Sequence, residues 1–217
     1  MKPRCAYCGV SVSRADREHV VPKCLYPTSK SNSKVQRLTV PACNACNNGW
    51  SDDEAHFRNV MLLSGKPNDA VHELWKTTTT RSFNQVDGKR RVLDLFDQLI
   101  PVQAPEGHRH LIFPAKDKRV LRVVRKVIRG LCYHHGLLSA LSEERVWVDI
   151  LKYIVPEEFL VEMSVHHREA DIFEYRYLVV NDLGIHSCWL LTFFECRTFI
   201  GIVACGDGKQ PWKSEEP

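Results

Sequence analysis

Two cysteine pairs, Cys5-x-x-Cys8 and Cys43-x-x-Cys46, are the residues in this chain whose types and spacing point most directly to chemistry. Two residues between thiols let one tight turn aim both sulfurs at a single ion, and four thiolates around a tetrahedral ion make a closed structural site, most often zinc. Nine cysteines in an exported protein would suggest disulfides, but Met1 runs straight into polar residues without an apolar leader, so the paired thiols read as metal ligands. The intervening segment is long enough to form a hairpin that the ion clamps. So short a segment buries little core, and the ion would supply much of its folding free energy, roughly 10–16 kcal/mol on the scale of zinc-finger peptides.

The residues around the pairs add polar groups of a different kind. Arg17-Glu18-His19-Val20-Val21-Pro22 sets a carboxylate beside an imidazole, and Asn47 follows the last thiol directly. Four thiols alone do not separate an enzyme from a zinc-stapled binding module.

Together these features resemble the HNH, or ββα-metal, endonucleases of the four-cysteine zinc-knuckle subtype. The family motif joins an Asp/Glu-His-x-x-Pro strand end to a Cys-x-x-Cys-Asn/His helix start, and the match covers about residues 5–54. The resemblance implies that Cys5, Cys8, Cys43 and Cys46 hold a structural Zn²⁺. It also implies that Glu18 and Asn47 hold one catalytic divalent ion, Mg²⁺ or Mn²⁺, and that His19 is the general base that activates water. A hard ion of this kind prefers oxygen donors and keeps several waters, so one carboxylate and one amide suffice. Neutral imidazole, with an ordinary pKa of about 6.5, can accept the proton at physiological pH. Asn47 is equally suited to capping a helix. The chain departs from the motif where the second strand normally carries an Asn that braces the histidine loop, since Leu38 stands there.

Further along the same segment, Lys23, Lys30, Lys34 and Arg58 are candidate substrate contacts. Arg58 also reads as a solvated helix charge. Asp52, Asp53 and Glu54 suit the first turn of a helix, and His56 falls on the face opposite Asn47.

Positioning these groups requires an order of knuckle, strand, loop, strand, knuckle and helix. Val10–Val12 and Val35–Val40 have the β-branched character of the strands, Thr28–Lys34 reads as the loop, and Asn47–Leu63 as the helix. Residues 1–65 form this unit, 66–107 a connecting segment with a short helix near Val71–Lys76 and a turn at Asp87-Gly88, 108–205 an accessory α+β domain, and 206–217 a frayed tail. In the accessory half, Leu111–Phe113 is expected as a strand and Lys116–Leu141 as a long helix whose Val120, Val124, Val127, Leu131 and Leu138 share one face. Opposite them, Lys118, Arg119, Arg122, Arg125, Lys126 and Arg129 form a basic stripe that could meet phosphates or acids elsewhere in the fold. A short helix at Pro156–Phe159 and strands at Val146–Ile150, Tyr175–Val180, Cys188–Phe194 and Thr198–Ala204 complete a largely antiparallel sheet. His134-His135 and His166-His167 diverge as neighbours in an element must, so neither pair makes a bidentate ligand.

Composition bounds the rest. Hydrophobic residues at 44% and charged residues at 26% exclude disorder and fibrous folds, and a formal charge of +4 is compatible with nucleic acid without requiring it. The expected fold class is α+β, with an N-terminal zinc-bound ββα-metal domain. The expected protein is a cytoplasmic DNA endonuclease with no membrane partner, whose C-terminal half is a candidate for pairing two copies. The rival readings are a zinc-stapled nucleic-acid-binding module with a decayed HNH site and an RNA-cleaving effector.

Overall fold

In the computed structural model, which describes residues 2–32, 36–64, 66–103, 107, 109–167, 169 and 171–206, the chain reverses tightly at the first cysteine pair. The Gly9 N–H donates to the Cys5 carbonyl at 2.9 Å, with Gly9 in the left-handed region at φ 73°. A side chain there would be strained, and its Cβ would lie 2.9 Å from that of Ala140. Strand β1 (Asp16–His19) pairs antiparallel with β2 (Thr39–Ala42), setting Glu18 opposite Val40 and His19 opposite Thr39. The expected first strand at Val10–Val12 is therefore displaced: that stretch makes only a single bridge, Arg4 to Ser11, because Val10 is half exposed and finds no apolar face to cover. Between the strands, Lys23–Leu25 and Thr28–Asn32 wind into short 3₁₀ turns where a plain loop was expected. Lys34 lies outside the described residues.

The expected single helix after the second knuckle is two. Helix α1 (Asn44–Asn48) begins at Cys43 and stops at Gly49, and α2 (Ser51–Leu63) starts afresh after Trp50. Asp52, Asp53 and Glu54 sit in the first turn of α2, where acidic groups meet the positive end of the helix. The connecting segment is helical, with α3 (Asp69–Leu74), a π turn at Trp75–Thr79, α4 (Thr80–Phe83) and α5 (Gly88–Phe96). An antiparallel pair, β3 (Ile100–Gln103) and β4 (Arg109–Ile112), follows.

Helix α6 (Lys118–His134) is shorter than the expected Lys116–Leu141 at both ends. Asp117 caps its start, its side chain accepting from the Arg119 and Val120 amides at 2.9 and 3.1 Å, while Gly136 at φ 67° turns the chain away after His135. Beyond it come β5 (Val146–Ile150), α7 (Glu157–Glu162), β6 (Ser164–His167), β7 (Phe173–Asp182), β8 (Ile185–Phe193) and β9 (Arg197–Ala204). The last five strands form one antiparallel sheet in the order β5-β9-β8-β7-β6. The protein is thus α+β, and among the described residues no helix is long and apolar enough to cross a membrane.

Among the described residues one hydrophobic core runs from Cys5 through α2 and α6 to Val203. Helix α6 lies at its centre and is covered on two sides. Towards the sheet, Ile128 packs over Gly201, where an added Cβ would meet the Ile128 Cδ1 at 2.2 Å. Towards the β1–β2 hairpin, a Cβ on Gly130 would sit 3.0 Å from both γ-carbons of Val20 and 3.1 Å from the Tyr7 hydroxyl. Gly130→Leu should therefore force the hairpin off the helix, lowering stability by about 1–3 kcal/mol. A thermal melt with far-UV circular dichroism would show it, and an unchanged midpoint would contradict this packing.

Candidate zinc and nuclease site

The four cysteines converge. All four sulfurs lie within 4.8 Å of one another, and Cys8 Sγ is 3.8 Å from Cys43 Sγ. That separation is far beyond a disulfide bond of about 2.0 Å. It equals the edge, about 3.8 Å, of a tetrahedron whose centre is one zinc–sulfur bond, about 2.3 Å, from each corner. Backbone bonds set the two knuckles against each other: Cys5 N–H donates to the Val10 carbonyl, Ala6 N–H to Pro41, and Asn47 N–H to Cys43, at 2.8–2.9 Å.

Electrostatics favours a cation at the centre. Burial opposes ionisation of Cys5, yet hydrogen bonds from the backbone at Cys43, Cys8 and Tyr7 outweigh it and bring that thiol down to about 7. Cys46 moves the other way, pushed up by burial and then by the thiol of Cys43. Sulfurs this close cannot all ionise without a positive ion among them, and a bound metal deprotonates coordinating thiols outright.

His19 stands at the end of β1, half-buried, with its Nδ1 shielded from water and unbonded among the described residues. Burial lowers its pKa first, followed by the fields of Arg37, Lys23, Lys126 and Arg17. A buried nitrogen without a partner tolerates a lone pair better than a second N–H, which favours the neutral ring over the charged one. Arg37 lies with its guanidinium 4.1 Å above the Tyr26 ring, and Arg17 is held to the Thr39 hydroxyl at 3.3 Å. The imidazole is thus set in a positive surface patch.

Glu18, its neighbour in sequence, projects to the opposite face of the strand, as adjacent strand residues must. It is buried against α6, where its Oε1 accepts from the ammonium of Lys126. Burial raises the Glu18 carboxyl above its ordinary range, and Lys126 pulls it part of the way back. The same ammonium bonds Glu54 Oε1 and the His19 carbonyl, the latter at 2.9 Å. Asn47 is half-buried within α1, which packs on β1. It does not cap that helix, since Cys43 occupies the cap position.

The expected substrate contacts divide. Lys23 is exposed near His19, and Lys30 is part-exposed but paired with Asp171 at 3.1 Å. Arg58 corrects the expectation of a phosphate contact or a solvated charge: it is buried, its guanidinium held by the Asn59 side-chain oxygen at 2.8 Å. Of the basic stripe of α6, Lys118 is exposed and the other five cations are engaged within the fold. Arg119 and Arg122 share Asp53, Arg125 reaches Glu143 at 3.6 Å, and Arg129 donates to the carbonyls of Leu141 and Tyr7. His56 pairs with Asp117 at 2.7 Å, tying α2 to the start of α6. His135 and His166 come within 5.0 Å across elements, but they pack with Tyr175 and Tyr177. Among the described residues the four cysteines form the one cluster of His, Cys, Asp or Glu suited to a metal.

Lys126, Glu54, Arg17 and Arg37 were not among the sequence-derived site residues. Arg17 was within reach of a strand argument, two residues from His19 and on its face. Arg37 became visible only with the hairpin register.

The thiolate geometry predicts one zinc per chain by elemental analysis. Cys43→Ser or Cys46→Ser should lose that zinc and melt the N-terminal segment, seen as early proteolysis of residues 2–64; a variant that kept both zinc and melting midpoint would refute the staple. The chain matches no protein-family model, no curated protein and no solved structure.

Proposed function

We propose that the N-terminal segment is an HNH-type nuclease site that hydrolyses DNA phosphodiester bonds with His19 as general base. The observation that carries this reading is the setting of His19: a half-buried imidazole with an unpartnered Nδ1 among the described residues, on the hairpin that the four thiols close at its other end, in a patch made positive by Arg17, Lys23 and Arg37. Neutrality is what a general base needs, and the surrounding cations suit a phosphate backbone. The motif resemblance supplies the rest.

In this reading His19 takes a proton from a water molecule as that water's oxygen attacks phosphorus. The bond to the leaving sugar oxygen breaks on the opposite side, that oxygen takes a proton from solvent water to leave as a hydroxyl, and the proton on the ring returns to solvent. Arg17, Lys23 and Arg37 hold the phosphate by its charge. Glu18 and Asn47 would hold a divalent ion, Mg²⁺ or Mn²⁺, which when bound neutralises charge developing on the phosphate and leaving oxygen. The donor set fits such an ion in kind, because Lys126 bonds only Oε1 of Glu18 and both residues offer hard oxygen.

A second reading, a zinc-stapled nucleic-acid-binding module without catalysis, is favoured by one observation: the Glu18 carboxylate is buried and already neutralised by Lys126. The two separate in a plasmid assay. Wild-type protein should cut plasmid DNA with Mg²⁺ or Mn²⁺, and His19→Ala should slow cutting by about 100-fold or more with zinc content and melting unchanged. Wild type that binds DNA but stays inert with every divalent ion would favour the module. Cleavage confined to a parallel RNA substrate would move the reading to an RNA-cleaving effector.

A further inference from the structure

We infer that Lys126, on a helix more than a hundred residues from the hairpin in sequence, is the positioning residue for His19. The inference rests on the nuclease reading above. An ammonium carries three N–H donors, and Lys126 has three oxygen partners: the carbonyl of His19, the carboxylate of Glu18 and the carboxylate of Glu54. These partners belong to two elements, β1 and α2, while the lysine itself comes from a third, α6. Its side chain is fully buried, so no water competes for those donors.

The bond to the His19 carbonyl, at 2.9 Å, acts on the backbone that carries the imidazole. Beyond His19 the pairing of the hairpin is thin: β1 ends there, and the next bond is from the Val20 amide to the Leu38 carbonyl at 3.0 Å. Leu38 is buried in the core and brings no polar side chain to the histidine. The ammonium therefore supplies a polar tie from the far side of the strand. By gripping Oε1 of Glu18 at the same time, it holds that carboxylate and the His19 carbonyl together on the α6 side of β1, while the imidazole projects to the other face.

Two features show that the lysine is built into this place. Gly130, one turn further along α6, permits the helix to approach Val20 closely enough for the lysine to reach. Arg129 anchors the first cysteine knuckle to the same helix through the Tyr7 carbonyl at 2.8 Å. The C-terminal half is thus part of the site through α6. An arginine would substitute only in part, since a planar fork directs its donors in one plane while the three oxygens surround a single nitrogen from two elements.

The test uses the full-length zinc-bound chain. Lys126→Met combined with Glu54→Gln removes the ammonium and one of the carboxylates it neutralises, and Lys126→Arg keeps the charge where the double variant fails to fold. Each is measured for zinc content, melting, kcat and KM on plasmid DNA with Mg²⁺, and for the ¹⁵N signals of the His19 ring, assigned with His19→Ala. The double variant should keep zinc and hold KM within about threefold, while kcat falls about 100-fold, as expected for a displaced reacting group. The His19 signals should broaden or double. Lys126→Arg should show the same pattern with a smaller loss of kcat. Unchanged kcat and a single sharp His19 signal in a folded variant would overturn the inference and leave Lys126 as a packing residue. Failure of the wild type to cut any substrate would overturn the nuclease reading, and the ring signals would still decide whether Lys126 fixes His19.

Discussion

A buried ammonium with no water around it must be satisfied by the protein, and Lys126 obliges two segments, β1 and α2, to meet it on α6. Removing one partner of such a buried charge network costs about 3–5 kcal/mol in general, because the remaining charge is stranded. The two carboxylates and the carbonyl around Lys126 therefore constrain where α2, α6 and β1 can lie. A network of this kind adds less to stability than an apolar core of equal volume would, but it is far less tolerant of misregister. A one-residue slip of β1 would carry Glu18 to the solvent face and leave Lys126 unpaired.

The four-thiol cluster and the ammonium act on the same hairpin from its two ends. Four thiols fix the knuckles, where little apolar surface is available, and the α6 face holding Lys126, Arg129 and Gly130 fixes the strand that ends in His19. The knuckles close the hairpin at its Asp16–Ala42 end, and α6 holds it through Arg129 at the Tyr7 carbonyl and through Lys126 at Glu18 and His19. The single core running from Cys5 to Val203 follows from this arrangement, with α6 as the wall shared by the hairpin and the five-stranded sheet.

What the sequence revealed depended on whether the signal was local. The four thiols were legible because ligand spacing lies within one turn, and the strands Val146–Ile150 and Arg197–Ala204 because alternation is a property of short segments. Helix breaks were less legible: Gly49 interrupts what periodicity alone reads as continuous, and a Val-rich stretch at Val10–Val12 lost its strand because tertiary packing gave it no partner. The basic stripe of α6 shows the same limit for charge. Six cations at helical spacing look alike, yet Arg119 and Arg122 bind Asp53, Arg129 binds backbone, and Lys126 is sealed inside.

Lys126 could have been singled out by geometry had the helix been considered as buried on two sides. One turn along α6 separates Lys126 from Val123 on one side and from Gly130 on the other, both of which are covered, whereas Arg119, on the same face, stands at the exposed start of the helix and Arg122 lies about 40° away. A lone cation flanked by a buried valine and a close-packed glycine requires anionic partners, and the sequence offers few acids that can be buried with it. Glu18 qualifies because Val20 and Val21 follow it into the core, and Glu54 because Phe57, on the same face one turn later, is wholly buried. The pairing thus follows from a rule that the charge count hides: a buried ion needs a buried counter-ion, and the place to seek it is beside the apolar residues that lead the chain inward.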